Sequence, residues 1–67
     1  MHKLAQNLKS LRERTILSQK DVAEYVDVPQ PRMNDYENGT REPSLDTLIE
    51  LADFYGVTID KLLKEEL

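Results

Sequence analysis

The sequence predicts a single all-α domain of five helices. Apolar residues recur at helical spacing along most of the chain, and no sustained alternation of polar and apolar residues indicates a strand. Residues that favour helix ends separate these periodic stretches, and the stretches lie only a few residues apart. Because 67 residues leave room for one small core, we expect one domain over residues 1–67.

The first helix is predicted over about residues 2–14. Leu4, Leu8 and Leu11 lie at i, i+4 and i+7 and therefore share one face, while the basic residues of the segment lie elsewhere. We expect the leucine face to belong to the core.

The second helix is predicted to begin after Ser18 and to end near Asp27. Ser18 is a favoured N-cap residue, and Asp21 three residues later suits a short-armed capping box. Aspartate also tolerates the left-handed backbone conformation that a tight turn requires, so Asp27 can end the helix. The predicted buried stripe consists of Val22, Ala23 and Val26.

The third helix is predicted to start within residues 29–32 and to end at Gly39. Prolines fit the first turn of a helix because N–H groups there have no intrahelical partner, and glycine is the favoured left-handed residue after a helix. Met33 and Tyr36 are three residues apart, and we expect both to face the core.

Two further helices are predicted in the C-terminal third. Ser44 caps the fourth helix and Gly56 ends it, and Thr58 caps a short fifth helix. The apolar stripe predicted for the fourth helix is Leu45, Leu48, Ile49, Ala52 and Tyr55, and that for the fifth is Ile59, Leu62 and Leu63. Phe54, Leu63 and Leu67 are predicted to leave an apolar patch on the surface, through which two copies could associate.

Composition excludes several classes of function. The chain has one histidine and no cysteine, so we expect no metal, no disulfide and a reducing compartment such as the cytoplasm. The carboxylates have no neighbouring nucleophile or glycine-rich phosphate loop, and we expect neither enzymatic activity nor a cofactor. Crossing a membrane would need about 20 consecutive apolar residues, and the longest apolar runs are far shorter.

Several segments match one known sequence pattern. These are LSQKDVAE at residues 17–24, YENGTREPSL at 36–45, LA at 51–52 and YGV at 55–57. Their sequence and spacing resemble the Cro/C1-type, or Xre-like, helix-turn-helix family, which includes lambdoid phage repressors. The resemblance implies a five-helix lambda-repressor-like fold, a helix-turn-helix at about residues 18–38, and binding to double-stranded DNA.

The start of the third helix carries side chains suited to reading bases. Such a helix fits the major groove, with its N-terminal residues at the base edges. Gln30 and Asn34 can pair with adenine, Arg32 with guanine, and Asp35 can accept from cytosine. An alternative for Asp35 is that it is only solvated, or is a helix-internal partner of Arg32.

The resemblance also implies positioning contacts. Gln19 would meet a phosphate at the N-terminus of the second helix, and Asn38, Thr40 and Arg41 would face the sugar-phosphate backbone. Arg12 and Glu37 match positions that form a structural ion pair in the family. The expected contacts with the sugar-phosphate backbone would fix the register of the protein on DNA and would carry no sequence information.

The charge distribution bears on whether the chain can bind DNA. Net charge is −4, but residues 1–20 carry +4 and residues 42–67 carry −5, so the acids lie mainly away from the expected reading surface. We expect a homodimeric transcriptional repressor on a near-palindromic operator, because one monomer would bind DNA weakly. The alternative is a protein-interaction module on the same fold, such as an antirepressor or antitoxin-like partner.

Overall fold

The computed structural model describes residues 2–67 as a bundle of five helices, and this part of the chain contains no strand. The helices are α1 (Leu4–Glu13), α2 (Gln19–Tyr25), α3 (Gln30–Asn38), α4 (Leu45–Tyr55) and α5 (Ile59–Lys64). This confirms the predicted all-α class and the order of the elements. Within residues 2–67 no helix is long and apolar enough to span a bilayer.

The first helix is shorter than the sequence suggested. It begins at Leu4 rather than His2 and ends at Glu13. Lys3 precedes the helix, and its main-chain N–H donates to the carbonyl of Leu63 at 2.9 Å. This hydrogen bond ties the start of the chain to α5.

The turn between α2 and α3 is set by local sequence. Ser18 Oγ accepts from the Asp21 N–H at 3.2 Å, and Asp21 Oδ2 accepts from the Ser18 N–H at 3.0 Å, which is the predicted capping box. Asp27 adopts the left-handed conformation with φ 59°, and the Val28 N–H donates to the carbonyl of Ala23 at 2.9 Å. The chain therefore reverses and starts α3 directly after Pro29.

The core lies between α1, α2, α3 and the two C-terminal helices. α1 packs against α3 and α5, α2 against α3, and α4 against α5. The buried apolar residues are Leu4, Leu8, Val22, Ala23, Val26, Met33, Tyr36, Leu51, Ala52 and Leu62. Met33 and Tyr36 face inward as predicted, which leaves the opposite face of α3 to solvent.

The stripe predicted for α4 is partly wrong. Leu45 is 68% exposed and Ile49 is 42% exposed, whereas Leu51, outside the predicted stripe, is fully buried. More than half of the residues in α4 are apolar, so helical spacing alone allows more than one core-facing stripe. Packing selects the face that carries Leu48, Leu51, Ala52 and Tyr55.

The predicted association patch does not form as expected. Phe54, Leu63 and Leu67 are each partly buried against the core of the same chain. Phe54 packs between two tyrosines, with ring centroids 4.6 Å from Tyr25 and 5.0 Å from Tyr55.

The side chain of Asn7, only 1% exposed, holds the C-terminal segment in place. Its Nδ2 donates to the carbonyls of Leu62 and Glu65, both at 2.7 Å, and its Oδ1 accepts from the Leu67 N–H at 2.9 Å. Asn7 therefore satisfies carbonyls at the end of α5 that have no partner within the helix.

Candidate nucleic-acid interface

One face of α3 is polar and open to solvent. Gln30, Arg32 and Asn34 are exposed on it, as is Pro31. They occupy the N-terminal half of the helix, which begins at Gln30. An exposed polar helix face of this kind matches the dimensions and hydrogen-bonding groups of the major groove.

The buried side of α3 is anchored to α1 by an ion pair. Arg12 Nε lies 2.7 Å from Glu37 Oε2, and Arg12 Nη2 lies 3.0 Å from Glu37 Oε1. The Glu37 side chain is 2% exposed and that of Arg12 17% exposed. The hydrogen bond to Glu37 raises the pKa of Arg12, so the guanidinium remains charged. This two-point contact fixes both the position and the rotation of α3.

Tyr55 of α4 lies close to this pair. Burial, and after it the nearby Glu37 carboxylate, raise the pKa of Tyr55 to about 12. The phenol is therefore neutral at any physiological pH and packs as a half-buried aromatic side chain.

Gln19 extends the ion pair into a longer polar network. Its Nε2 donates to Glu37 Oε1 at 3.1 Å and to Asn34 Oδ1 at 3.1 Å. The residue was predicted to contact phosphate, but its side-chain amino group is directed onto α3. Its main-chain N–H still lies at the N-terminus of α2, where it could meet a phosphate. The structure thus links Arg12, Glu37, Gln19 and Asn34 in one chain of contacts.

The turn after α3 carries the other predicted backbone contacts. Gly39 ends the helix with φ 80°, and Asn38, Thr40 and Arg41 around it are exposed. The Thr40 N–H donates to the carbonyl of Asp35 at 3.1 Å, which holds the turn against the helix.

Asp35 lies closer to this turn than to the start of α3. Its Oδ2 is 4.0 Å from Arg41 Nε. The alternative of a helix-internal pair with Arg32 is therefore wrong: in the described chain Asp35 has Arg41 as its ionic partner. The reason is that the chain turns back at Gly39 and brings Arg41 beside the carboxylate.

Sequence reasoning missed the contact between Gln19 and Asn34. The two residues are fifteen positions apart, and each is a common surface residue. The one signal in the sequence that could have indicated this network was the expected Arg12–Glu37 pair. A buried carboxylate has two oxygens and can accept hydrogen bonds from donors besides the arginine.

The fold defined by these helices is that of the lambda-repressor-like helix-turn-helix proteins. The P22 c2 repressor protein, solved in complex with a synthetic operator, matches with a TM-score of 0.89 at 20% identity, over 98% of this chain and 100% of that one. A transcriptional regulator from Listeria innocua matches with a TM-score of 0.90 at 29% identity, over 100% of this chain and 64% of that one.

Sequence comparison places the chain within a family. The helix-turn-helix family matches residues 8–62, and the chain belongs to it, which confirms the resemblance to Cro/C1-type proteins. The HTH-type transcriptional regulator DdrOP3 of Deinococcus deserti is 40% identical over 62 residues, 92% of this chain and 48% of that protein. The chain thus spans about half the length of this relative.

Proposed function

We propose that this chain is a sequence-specific regulator of transcription, a repressor, that binds double-stranded DNA by placing α3 in the major groove. The observation that carries the proposal is the exposed polar face of α3, held rigidly from behind by the bidentate contact between Arg12 and Glu37. The relatives support it, since DdrOP3 is named a transcriptional regulator and the P22 c2 repressor was solved with an operator. The protein-interaction alternative is not favoured.

The proposed base contacts come from the N-terminal half of α3. Arg32 is exposed and can donate both of its terminal amino groups to guanine O6 and N7, and Gln30 can pair with adenine. Asn34 and Asp35 follow one turn later, and Asp35 could accept from a cytosine amino group on the side of Arg41.

The proposed backbone contacts flank this reading surface. Asn38, Thr40 and Arg41 lie in the exposed turn after α3, and the main-chain N–H of Gln19 opens α2 on the other side. These groups would fix the register of α3 in the groove without reading sequence.

We propose that the working unit is a homodimer on a near-palindromic operator. A single reading helix spans few base pairs, and a net charge of −4 weakens the attraction of one monomer to DNA. Two copies would place their α3 helices about one helical turn of DNA apart, roughly 34–36 Å. The activity requires no catalytic group or cofactor, and its place is the compartment that holds the DNA, the cytoplasm.

Selection from randomised duplex DNA at two salt concentrations tests this proposal. We expect an enriched site with two-fold symmetry and an affinity that falls steeply as salt rises. Arg32→Ala should remove the preference at one position in each half-site. Lys64→Ala, which removes one positive charge from an exposed side chain in α5, is the matched control and should retain the full preference. No enrichment at low salt would contradict the proposal.

A further inference from the structure

We propose that Glu37, acting through Gln19, fixes the amide orientation of Asn34 so that its amino group points towards the DNA. Gln19 is then a specificity-determining residue that selects the base at Asn34 without touching it. The inference rests on the proposed function, because it concerns how α3 reads a base.

Glu37 has a fixed hydrogen-bonding polarity. An ionised carboxylate only accepts hydrogen bonds, and both Glu37 oxygens already accept from Arg12. With its side chain 2% exposed, Glu37 has little access to water, and breaking this pair would leave a buried charge without compensation. Any neighbouring amide must therefore turn its NH₂ group, and not its oxygen, towards Glu37.

The Glu37 carboxylate sets the amide orientation of Gln19. Its Nε2 lies 3.1 Å from Glu37 Oε1, so one of the two amino hydrogens is committed there. A reversed amide would place Gln19 Oε1 against the carboxylate, where two acceptors repel each other. Glu37 thus determines which way the Gln19 amide faces.

Gln19 in turn sets the amide orientation of Asn34. The second amino hydrogen of Gln19 is directed at Asn34 Oδ1, also at 3.1 Å. If Asn34 were reversed, its NH₂ group would meet the NH₂ group of Gln19, and neither could accept. Asn34 therefore keeps its oxygen towards α2 and presents Nδ2 as the group available to a base.

This orientation disfavours the expected pairing of Asn34 with adenine. Bidentate pairing with adenine uses both the oxygen and the amino group, and here Gln19 engages the oxygen. Guanine offers two adjacent acceptors, O6 and N7, whereas adenine offers one acceptor beside a donor. Thymine offers a single acceptor, O4, beside its methyl group. Because guanine alone offers two acceptors side by side, we infer that the base opposite Asn34 is guanine.

The experiment compares selected DNA sites for the wild type, Gln19→Met and Gln6→Met. Methionine keeps the length of glutamine but removes its hydrogen-bonding groups, and the exposed Gln6 on α1 provides the matched control. We identify the base pair read by Asn34 as the one whose preference is lost in Asn34→Ala. There the wild type should prefer guanine, and Gln19→Met should reduce the guanine-to-adenine preference about tenfold. All other positions, and the Gln6→Met profile, should remain unchanged.

A double variant shows whether Gln19 acts through Asn34. In the Asn34→Ala background, Gln19→Met should cause no further change at that base pair. A further change there, an adenine preference in the wild type, or an unaltered preference in Gln19→Met would each overturn the inference. Absence of any selected site would overturn the proposed function and this inference with it, whereas the other outcomes leave the proposed function intact.

Hydrogen exchange of side-chain amides tests the same orientation without DNA. In the wild type, the amino hydrogens of Gln19 should exchange more slowly than those of Asn34, because Gln19 donates both and Asn34 Nδ2 is exposed. The opposite order would overturn the inference, even if the Gln19→Met variant did not fold.

Discussion

Arg12 and Glu37 join α1 to α3 through two hydrogen bonds, of 2.7 and 3.0 Å, between a guanidinium and an almost fully buried carboxylate. The contact sets the rotation of the helix whose exposed N-terminal half carries Gln30 and Arg32. It therefore connects the stability of the fold to the surface that we propose reads DNA.

Removing one partner of this pair should destabilise the fold strongly. Arg12→Ala leaves the Glu37 carboxylate buried without a counter-charge, which we expect to lower the free energy of unfolding by about 3–5 kcal/mol. Urea denaturation measures the change. Arg14→Ala removes the same charge from an exposed position just after the end of α1 and should alter stability by less than about 0.5 kcal/mol. Equal effects of the two substitutions would show that the pair contributes no more than a surface charge.

Ile49 and Leu51 of α4 should differ sharply in their contribution to stability. Leu51 is fully buried, so Leu51→Ala should cost about 2–5 kcal/mol. Ile49 is 42% exposed, and Ile49→Ala should cost considerably less. Thermal unfolding followed by circular dichroism distinguishes the two variants. A larger loss for Ile49→Ala would mean that α4 packs by the face that periodicity first suggested.

The buried side chain of Asn7 should contribute measurably to the free energy of unfolding. Asn7→Ala leaves the carbonyls of Leu62 and Glu65 without their donor, and a buried group left unsatisfied costs about 1–3 kcal/mol. The exposed Gln6 is the control, since Gln6→Ala should be nearly neutral. Amide exchange at Leu67, whose N–H donates to Asn7 Oδ1, should accelerate in Asn7→Ala alone. Unchanged exchange would contradict the assigned hydrogen bond.

The capping box of α2 should make stability depend on pH. Hydrogen bonds from the Ser18 main-chain N–H and then its hydroxyl lower the pKa of Asp21 below its ordinary value of 3.8. The ionised form is thus favoured in the folded state, so its contribution is present above the unfolded-state pKa and is lost as pH falls through the lower folded-state pKa. The stability difference between wild type and Asp21→Ala should be largest near neutral pH and should shrink below about pH 4. A difference that grows on acidification would contradict this assignment.

Arg41 and Arg32 should affect DNA binding in different ways. Arg41 lies in the turn after α3, where we propose a phosphate contact, so Arg41→Ala should weaken binding to all sequences and reduce the salt slope by about 1. Arg32→Ala should instead relax the preference at one base pair, at a cost of about 1–3 kcal/mol for the preferred base. Equilibrium binding to the selected duplex and to single-base variants at several salt concentrations separates the two. A loss of base preference in Arg41→Ala would reverse the assignment.

Features that depend on neighbouring residues could be predicted from the sequence. The Ser18 cap, the left-handed Asp27 and the end of α3 at Gly39 follow from the conformational preferences of single residues or short segments. The candidate base-reading residues could be placed near the start of α3 for the same reason, since prolines mark the first turn of the helix.

Features that depend on distant contacts could not be predicted in this way. Asn7 is buried because carbonyls more than 50 residues later need a donor, and no local pattern signals this. The outward position of Ile49 follows from which apolar face of α4 the other helices cover. The amide orientation of Asn34 depends on the Glu37 carboxylate, to which Asn34 is linked through Gln19.

Chemical-shift mapping of the labelled protein with a duplex carrying the selected site tests the central claim most directly. We expect amide signals to change in the first half of α3, at the start of α2 and in the turn containing Arg41, while the exposed face of α5 remains unaffected. Changes confined to α4 and α5, with α3 unperturbed, would contradict the claim that this chain reads DNA with its third helix.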